Sequence, residues 1–215
     1  TMSEGKLIIL SGPSGAGKST VIRQILERHP DFFFSVSATT RQPRGGERDG
    51  VHYHFITPAQ FEGMIAGQAL LEYNHYSSGD YYGTPAEPVR RVLDRGGTVL
   101  LDVEPNGAFQ VLEKLPQAVM VFLAPPSLAE LRRRLESRGD TPPDKVEARL
   151  KQAHWELAQA PHYTYLVVND QVDVCVAQVE AILQGGPEAA ACRYENQSEV
   201  EILKEVLSHA VSPHV

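Results

Sequence analysis

The 215 residues of the chain, 42% hydrophobic and 22% charged, are enough for a sizeable core in one α/β unit with a small inserted lobe. A net charge of −7 argues against a protein that holds long nucleic acid through a general basic field. No apolar run approaches the ~20 residues that span a bilayer, and two cysteines, Cys175 and Cys192, provide neither a disulfide framework nor metal-ligand spacing.

The segment Thr1-Met2-Ser3-Glu4-Gly5-Lys6 has no apolar signal core, and Thr1 before Met2 reads as an added residue. A cytoplasmic protein is the expectation. Residues 7–10 are an apolar run of strand type, followed at once by Gly12-Pro13-Ser14-Gly15-Ala16-Gly17-Lys18-Ser19. G-x-x-x-x-G-K-[ST] between a strand and a helix is a phosphate cradle, whose glycines keep side chains away while backbone N–H groups close around an anion. Lys18 reaches the β- and γ-phosphates, and the Ser19 hydroxyl suits Mg²⁺. From Ser19 and Thr20 to Leu26 the apolar spacing is helical, adding a positive dipole end.

Further strand-like runs follow at 32–37, 98–103, 119–123 and 165–168, separated by helical stretches. The β-α-β order predicts a parallel sheet covered on both faces, a doubly wound α/β core. Thr57-Pro58-Ala59-Gln60 and Thr84-Pro85-Ala86-Glu87 each predict a capped helix start, as does Ser127-Leu128-Ala129-Glu130 without the proline. Between Arg41 and Gly83 the pattern changes: 52–56 alternates as a strand and 61–71 reads as a short helix, together an inserted lobe. A second insertion spans helices at 128–138 and about 144–160. Open α/β sheets place ligands at such carboxyl-end insertions. Residues 185–190 read as a linker and 198–207 as one amphipathic helix.

The positive charge is fourteen Arg against six Lys, clustered at Arg41, Arg44 and Arg48 and at Arg132, Arg133, Arg134 and Arg138. Guanidinium forks make paired bonds to phosphate, so an acidic protein with local arginine groups suggests a small phosphorylated ligand. Arg41 and Arg44 lie three apart on a Gly/Pro-bounded loop, and Tyr53 and Tyr82 supply hydroxyls. Converging, they would hold one phosphate monoester. His52 and His54 share a strand face but lack a third metal ligand, Cys175 reads as a buried small side chain, and Trp155 reads as a packing aromatic.

The segment SVSATTRQPRGGE at 35–47, followed by VHYHF, LLEY, YYGTP, a strand ending LDVE, and LVVND, resembles guanylate kinase over about residues 5–183. The resemblance implies a P-loop doubly wound parallel sheet core (about 5–36, 85–126 and 162–184), a GMP-binding lobe (about 37–84) and a helical lid (about 127–161). Residues 185–215 fall outside it. It implies that Arg41, Arg44, Tyr53 and Tyr82 hold the GMP phosphate, beside Gly83. Glu72, with Ser37, Thr84 and Asp102, would read the guanine. One carboxylate can accept both guanine N1–H and N2–H, whereas adenine N1 would face it with a lone pair.

On the ATP side the resemblance implies the segment from Gly12 through Pro13, Ser14, Gly15, Ala16 and Gly17 to Lys18, Ser19 and Thr20. To these it adds Arg134, Arg138 and Arg149 from the lid, and Asn169 near the adenine. Mg²⁺ would be held at Ser19 and through a water at Asp102. Lys18, Arg41, Arg138 and Arg149 would carry the rate of ATP + GMP giving ADP + GDP, with hinges near Gly45-Gly46, Gly79, Gly83 and Gly139. Implied partners are ATP and GMP alone, with no nucleic-acid polymer and no membrane, in a monomer or homodimer. The chain departs from the family pattern at Glu104 and Asn106, where Asp and Gln are usual, and in a turn before Tyr81 that is one residue longer. The rival readings are a scaffold-type guanylate-kinase-like binding module without catalysis and a kinase of another phosphorylated acceptor. The intact cradle opposes the first, and Glu72 with Ser37 opposes the second.

Overall fold

The computed structural model describes residues 4–137, 142–198 and 200–209. In chain order the elements are β1 (Lys6–Ser11), α1 (Lys18–Arg28), β2 (Phe33–Phe34), β3 (Ala38–Thr39), β4 (His54–Phe55), α2 (Pro58–Ala66), β5 (Leu70–His75), β6 (Tyr81–Pro85) and α3 (Ala86–Asp94). There follow β7 (Thr98–Asp102), α4 (Pro105–Lys114), β8 (Val119–Ala124), α5 (Leu128–Ser137), α6 (Pro143–Leu157), β9 (Tyr165–Val168), α7 (Val172–Gln184), α8 (Pro187–Ala191) and α9 (Glu201–His209). They form two compact units: the described residues of Thr1–Ile9 with Pro30–Val119, and of Leu10–His29 with Met120–Val215.

In the first unit, β2 runs parallel to β7, pairing Phe33 with Val99 and Phe34 with Leu100, in the order β2-β7-β1. Val99, Leu100 and Leu101 are buried in succession, the pattern of a strand covered on both faces. A separate sheet in the same unit has the order β4-β3-β6-β5, with β6 antiparallel to both β3 and β5. Its core is Ala38, Phe61 and Leu70, with Ile56, Met64, Ile65 and Tyr81 packed against them. This sheet and α2 make a lobe of residues 38–85.

α2 starts where the sequence predicts. The Thr57 hydroxyl accepts from Gln60 N–H at 3.1 Å and the Gln60 side chain accepts from Thr57 N–H at 2.9 Å. It ends at Ala66, however, so the helix expected over 61–71 is split. Gln68 takes a left-handed φ of 53° and Leu70 opens a strand. The three-residue apolar run Ala69-Leu70-Leu71 carries no period of its own, and the burial of Leu70 and Leu71 in the lobe decides for strand. At the second predicted cap the chain also differs: Thr84 lies in β6, and α3 begins at Ala86 with no side-chain cap. The Thr84 hydroxyl is engaged with Glu72 instead.

In the second unit, β8 and β9 are parallel from Val121↔Tyr165 to Ala124↔Val168. Met120 to Ala124 are buried throughout, and α7 buries Cys175, Val176, Val179 and Ile182 along one face. Burial pushes the Cys175 thiol up to about 12, so it is an inert packing group. Trp155 does not pack as expected; it is 42% exposed on α6. Residues 187–191, expected as linker, form the short α8 after two glycines with positive φ. α9 buries Ile202, Leu203 and Val206, and Glu205 accepts from Leu128 N–H at 2.8 Å at the start of α5. The expected amphipathic helix therefore docks. No helix of the described residues is long and apolar enough to cross a membrane.

Candidate active site

The first unit gathers the arginine, the tyrosines and the buried acid. β3 ends at Thr39, whose hydroxyl accepts from Arg41 N–H at 3.2 Å and donates to Tyr81 O at 2.9 Å, which fixes where the arginine leaves the sheet. Arg41 Nη1 and Nη2 donate to Glu47 Oε1 and Oε2 at 2.9 and 2.8 Å, and Arg41 Nε donates to the Tyr82 hydroxyl at 2.8 Å. The guanidinium carbon stands 5.3 Å from the Tyr53 ring centroid, and the Tyr53 and Tyr82 rings meet edge to face. The paired bonds from Arg41 hold the Glu47 carboxyl down at about 2, and Glu47 in turn raises the Arg41 pKa. Both charges are therefore permanent at any working pH. Arg44 is exposed and offers its backbone N–H to Glu47 at 2.8 Å.

Glu72 is the buried acid, 4% exposed on β5 opposite Thr84. Its Oε1 accepts from the Thr84 hydroxyl at 2.7 Å, and its Oε2 lies 3.4 Å from Asn74 Nδ2. The carboxylate retains acceptor sites beyond these two. Gly83 must be glycine, because a Cβ there would stand 2.8 Å from Glu72 O. Ser37 anchors β4 by accepting His54 N–H at 2.8 Å, and Asp102 closes β7, half-buried. Tyr76 and Glu47 were not singled out by the sequence. Tyr76 sets its ring edge against Tyr82, and burial with hydrogen bonding to Glu104 raises its hydroxyl pKa. Glu47 could have been found, since it lies three residues past Arg44 inside the motif itself. His52, one of the two histidines weighed as metal ligands, uses Nδ1 to accept Arg48 N–H at 2.9 Å.

Burial, with repulsion from Glu104, raises the Glu72 carboxyl from 4.5 to about 7 in the ligand-free protein, against the opposing Thr84 bond and Lys114 charge. Between those two values the folded chain keeps a proton that the unfolded chain has released. The stability linked to Glu72 is thus fully present below about 4.5 and is lost as pH rises through about 7. Urea unfolding at a series of pH values should show this loss, on the order of 3 kcal/mol, in the parent protein and not in Glu72→Gln. Equal pH slopes in the two proteins would remove Glu72 as the titrating group.

The second unit holds the phosphate cradle. Gly17 caps α1 with a left-handed φ of 83°, which starts the helix at Lys18 and aims its first N–H groups into the loop. A Cβ at residue 12 would stand 2.3 Å from Leu123 O, and one at residue 17 would stand 2.3 Å from Asn169 Nδ2. Ala16 N–H donates to Pro13 O at 3.1 Å, and Asn169 Nδ2 donates to Ala16 O at 2.8 Å, which closes the loop on itself. Asn169 is 2% exposed, and its Oδ1 has no partner among the described residues. Lys18 Nζ donates to Gly12 O at 3.4 Å. Ser14 and Ser19 are exposed and Thr20 is half-buried, while Gly15 is buried against Leu131 and Leu135.

Arg134 joins the cradle directly, donating to Gly15 O at 3.3 Å and Asn169 O at 2.9 Å. Glu130 receives both Arg133 and Arg134, and their bonds hold it down at about 2. Arg149 is exposed on α6. Arg138, expected beside it, lies outside the described residues, as does Gly139.

The guanylate kinase family model matches residues 4–185. A guanylate kinase of Clostridium perfringens (strain SM101 / Type A) is 45% identical over 197 residues, covering 92% of this chain and 89% of its own. One of Thermus thermophilus is 49% identical over 179 residues, covering 83% and 80%. The crystal structure of guanylate kinase from Anaplasma phagocytophilum superposes with a TM-score of 0.69 at 30% identity, covering 99% of this chain and 98% of the other.

Proposed function

The chain belongs to the guanylate kinase family and transfers the γ-phosphoryl group of ATP to GMP, and we propose that its two units divide the work, the first holding GMP and the second ATP. The observation that carries the acceptor assignment is Glu72: a buried carboxylate, steadied by Thr84, with acceptor sites left for two adjacent donors. Guanine offers that pair in N1–H and N2–H. Arg41, oriented by Glu47 and Tyr82, takes the GMP phosphate by sharing or displacing Glu47, with Tyr53 beside it and Arg44 reaching in from the exposed loop. Ser37 and Asp102 complete the base side, and Gly83 lets β6 close on Phe61 and Tyr73 behind it.

In the second unit, the backbone N–H groups of residues 12–20, Pro13 excepted, and the Lys18 ammonium hold the β- and γ-phosphates, Arg134 braces the cradle, and Arg149 and Arg138 neutralise the transferred group. Asn169 Oδ1, buried and unpaired among the described residues, is suited to accept from the adenine amino group. The bond to the β–γ bridging oxygen of ATP breaks, and an oxygen of the GMP phosphate forms the new P–O bond. That oxygen is already anionic, so no general base is needed. Alignment and charge neutralisation supply the rate.

Mg²⁺ fits the donor chemistry present. The exposed Ser19 hydroxyl on the first turn of α1 is a hard oxygen donor, and in the first unit the Asp102 carboxylate is another. Oxygen donors that leave most positions to waters and substrate phosphate oxygens suit this ion. When bound, the ion would bridge and neutralise phosphate charge. With ATP and GMP as the substrates, the working location is the cytoplasm. A coupled ADP-release assay with Mg²⁺-ATP and GMP, AMP, UMP, CMP or no acceptor should give ADP with GMP alone. Comparable turnover with AMP would overturn the guanine assignment.

A further inference from the structure

β5 is an edge strand of the lobe sheet, so the backbone groups on its outer side have no strand to meet. They are met by α4. Gln110 Oε1 accepts from Tyr73 N–H at 3.1 Å and Gln110 Nε2 donates to Tyr73 O at 3.1 Å. One carboxamide thus gives Tyr73 the pair of bonds that a neighbouring strand residue would give. One turn further along, Lys114 Nζ donates to Leu70 O at 2.8 Å. One turn earlier, Gly107 lets the helix backbone close on Glu72; a Cβ there would stand 2.6 Å from Glu72 Oε2. Positions 107, 110 and 114 are spaced by three and four, on one face of the helix.

These contacts fall at a particular weakness. The β5–β6 ladder shifts register between Leu70 and Glu72, and a slip of one residue would turn the Glu72 side chain to the opposite face of the sheet. Lys114 ties the strand on one side of that irregularity and Gln110 ties it on the other. We infer that Gln110 is a positioning residue for base selection: its paired bond to the Tyr73 backbone, with Lys114 and Gly107 on the same helix face, holds β5 in the register that presents Glu72 to guanine. This rests on Glu72 being the guanine reader.

The test compares the parent with Gln110→Met, which keeps the length and packing of the side chain and removes both bonds. KM for GMP should rise about tenfold, and the preference for GMP over inosine monophosphate, which lacks the 2-amino group, should fall about tenfold, while kcat and KM for ATP stay within about twofold. A role in stability alone would lower the unfolding midpoint and leave the GMP KM and the preference unchanged, and that result overturns the inference. If Gln110→Met does not fold, Gln110→Glu, which keeps the acceptor for Tyr73 N–H and loses the donor to Tyr73 O, is judged on the same two readings. Glu72→Gln is measured alongside. Should it leave the preference intact, the guanine-reader assignment fails. Should it abolish the preference while the Gln110 variants do not, the Gln110 assignment alone fails.

Discussion

Lys18→Ala should lower kcat by about a thousandfold or more in the coupled ADP assay, with KM for GMP changed little. The residue opens α1 on the left-handed Gly17 cap, and its ammonium already lies within the loop, bonded to Gly12 O. Its charge is therefore fixed before ATP arrives, with no reorganisation needed at the moment of transfer. Removing it takes away the one cationic side chain of the loop itself, and the lid arginines and the metal ion do not occupy its place between the β- and γ-phosphates. Lys18→Arg should rescue little, because a planar fork does not occupy the place of a compact ammonium in so tight a loop. Turnover within about tenfold of the parent in Lys18→Ala would place the donor phosphates elsewhere.

Glu72→Gln should collapse base selection. A carboxamide presents one acceptor and one donor where guanine presents two donors, so an N–H faces an N–H in a buried site. The same amide can donate to N1 of adenine. The ratio of kcat/KM for GMP to that for AMP should therefore fall by about 10³, from loss on one side and gain on the other. Thr84 can still donate to the amide oxygen, so the fold around residue 72 is kept, and unfolding midpoints should remain close below about pH 4.5, above which the parent alone loses stability. A ratio unchanged within about threefold would mean that the base is read by other groups.

What the sequence made legible was chemistry written in local order. The cradle at residues 12–19 forms between a strand and a helix as its spacing requires, and the Thr57–Gln60 capping box is present with both bonds. The runs at 7–10, 98–103, 119–123 and 165–168 are strands because continuous apolar residues can be buried on both faces. What it concealed depends on partners distant in the chain. Thr84-Pro85 has the form of a helix cap, but a hydroxyl 12 positions from Glu72 is drawn to that carboxylate by the antiparallel pairing of β5 and β6. Gln110 sits on an amphipathic helix, where a polar residue ordinarily meets water, and nothing local signals that it faces Tyr73, 37 residues away. Gly67 and Gln68 interrupt the apolar residues before Leu70, and Gly67 is the C-cap that ends the helix, a stop signal present in the sequence and passed over. Trp155, the largest side chain of its helix, is exposed although its size suggested packing.

The most direct test of the account is a crystal structure with GMP bound. It should show both oxygens of the Glu72 carboxylate, or one shared oxygen, within ~3 Å of guanine N1 and N2, with the phosphate on the Arg41 guanidinium. Guanine bound without a hydrogen bond to Glu72, or a phosphate away from Arg41, would contradict it.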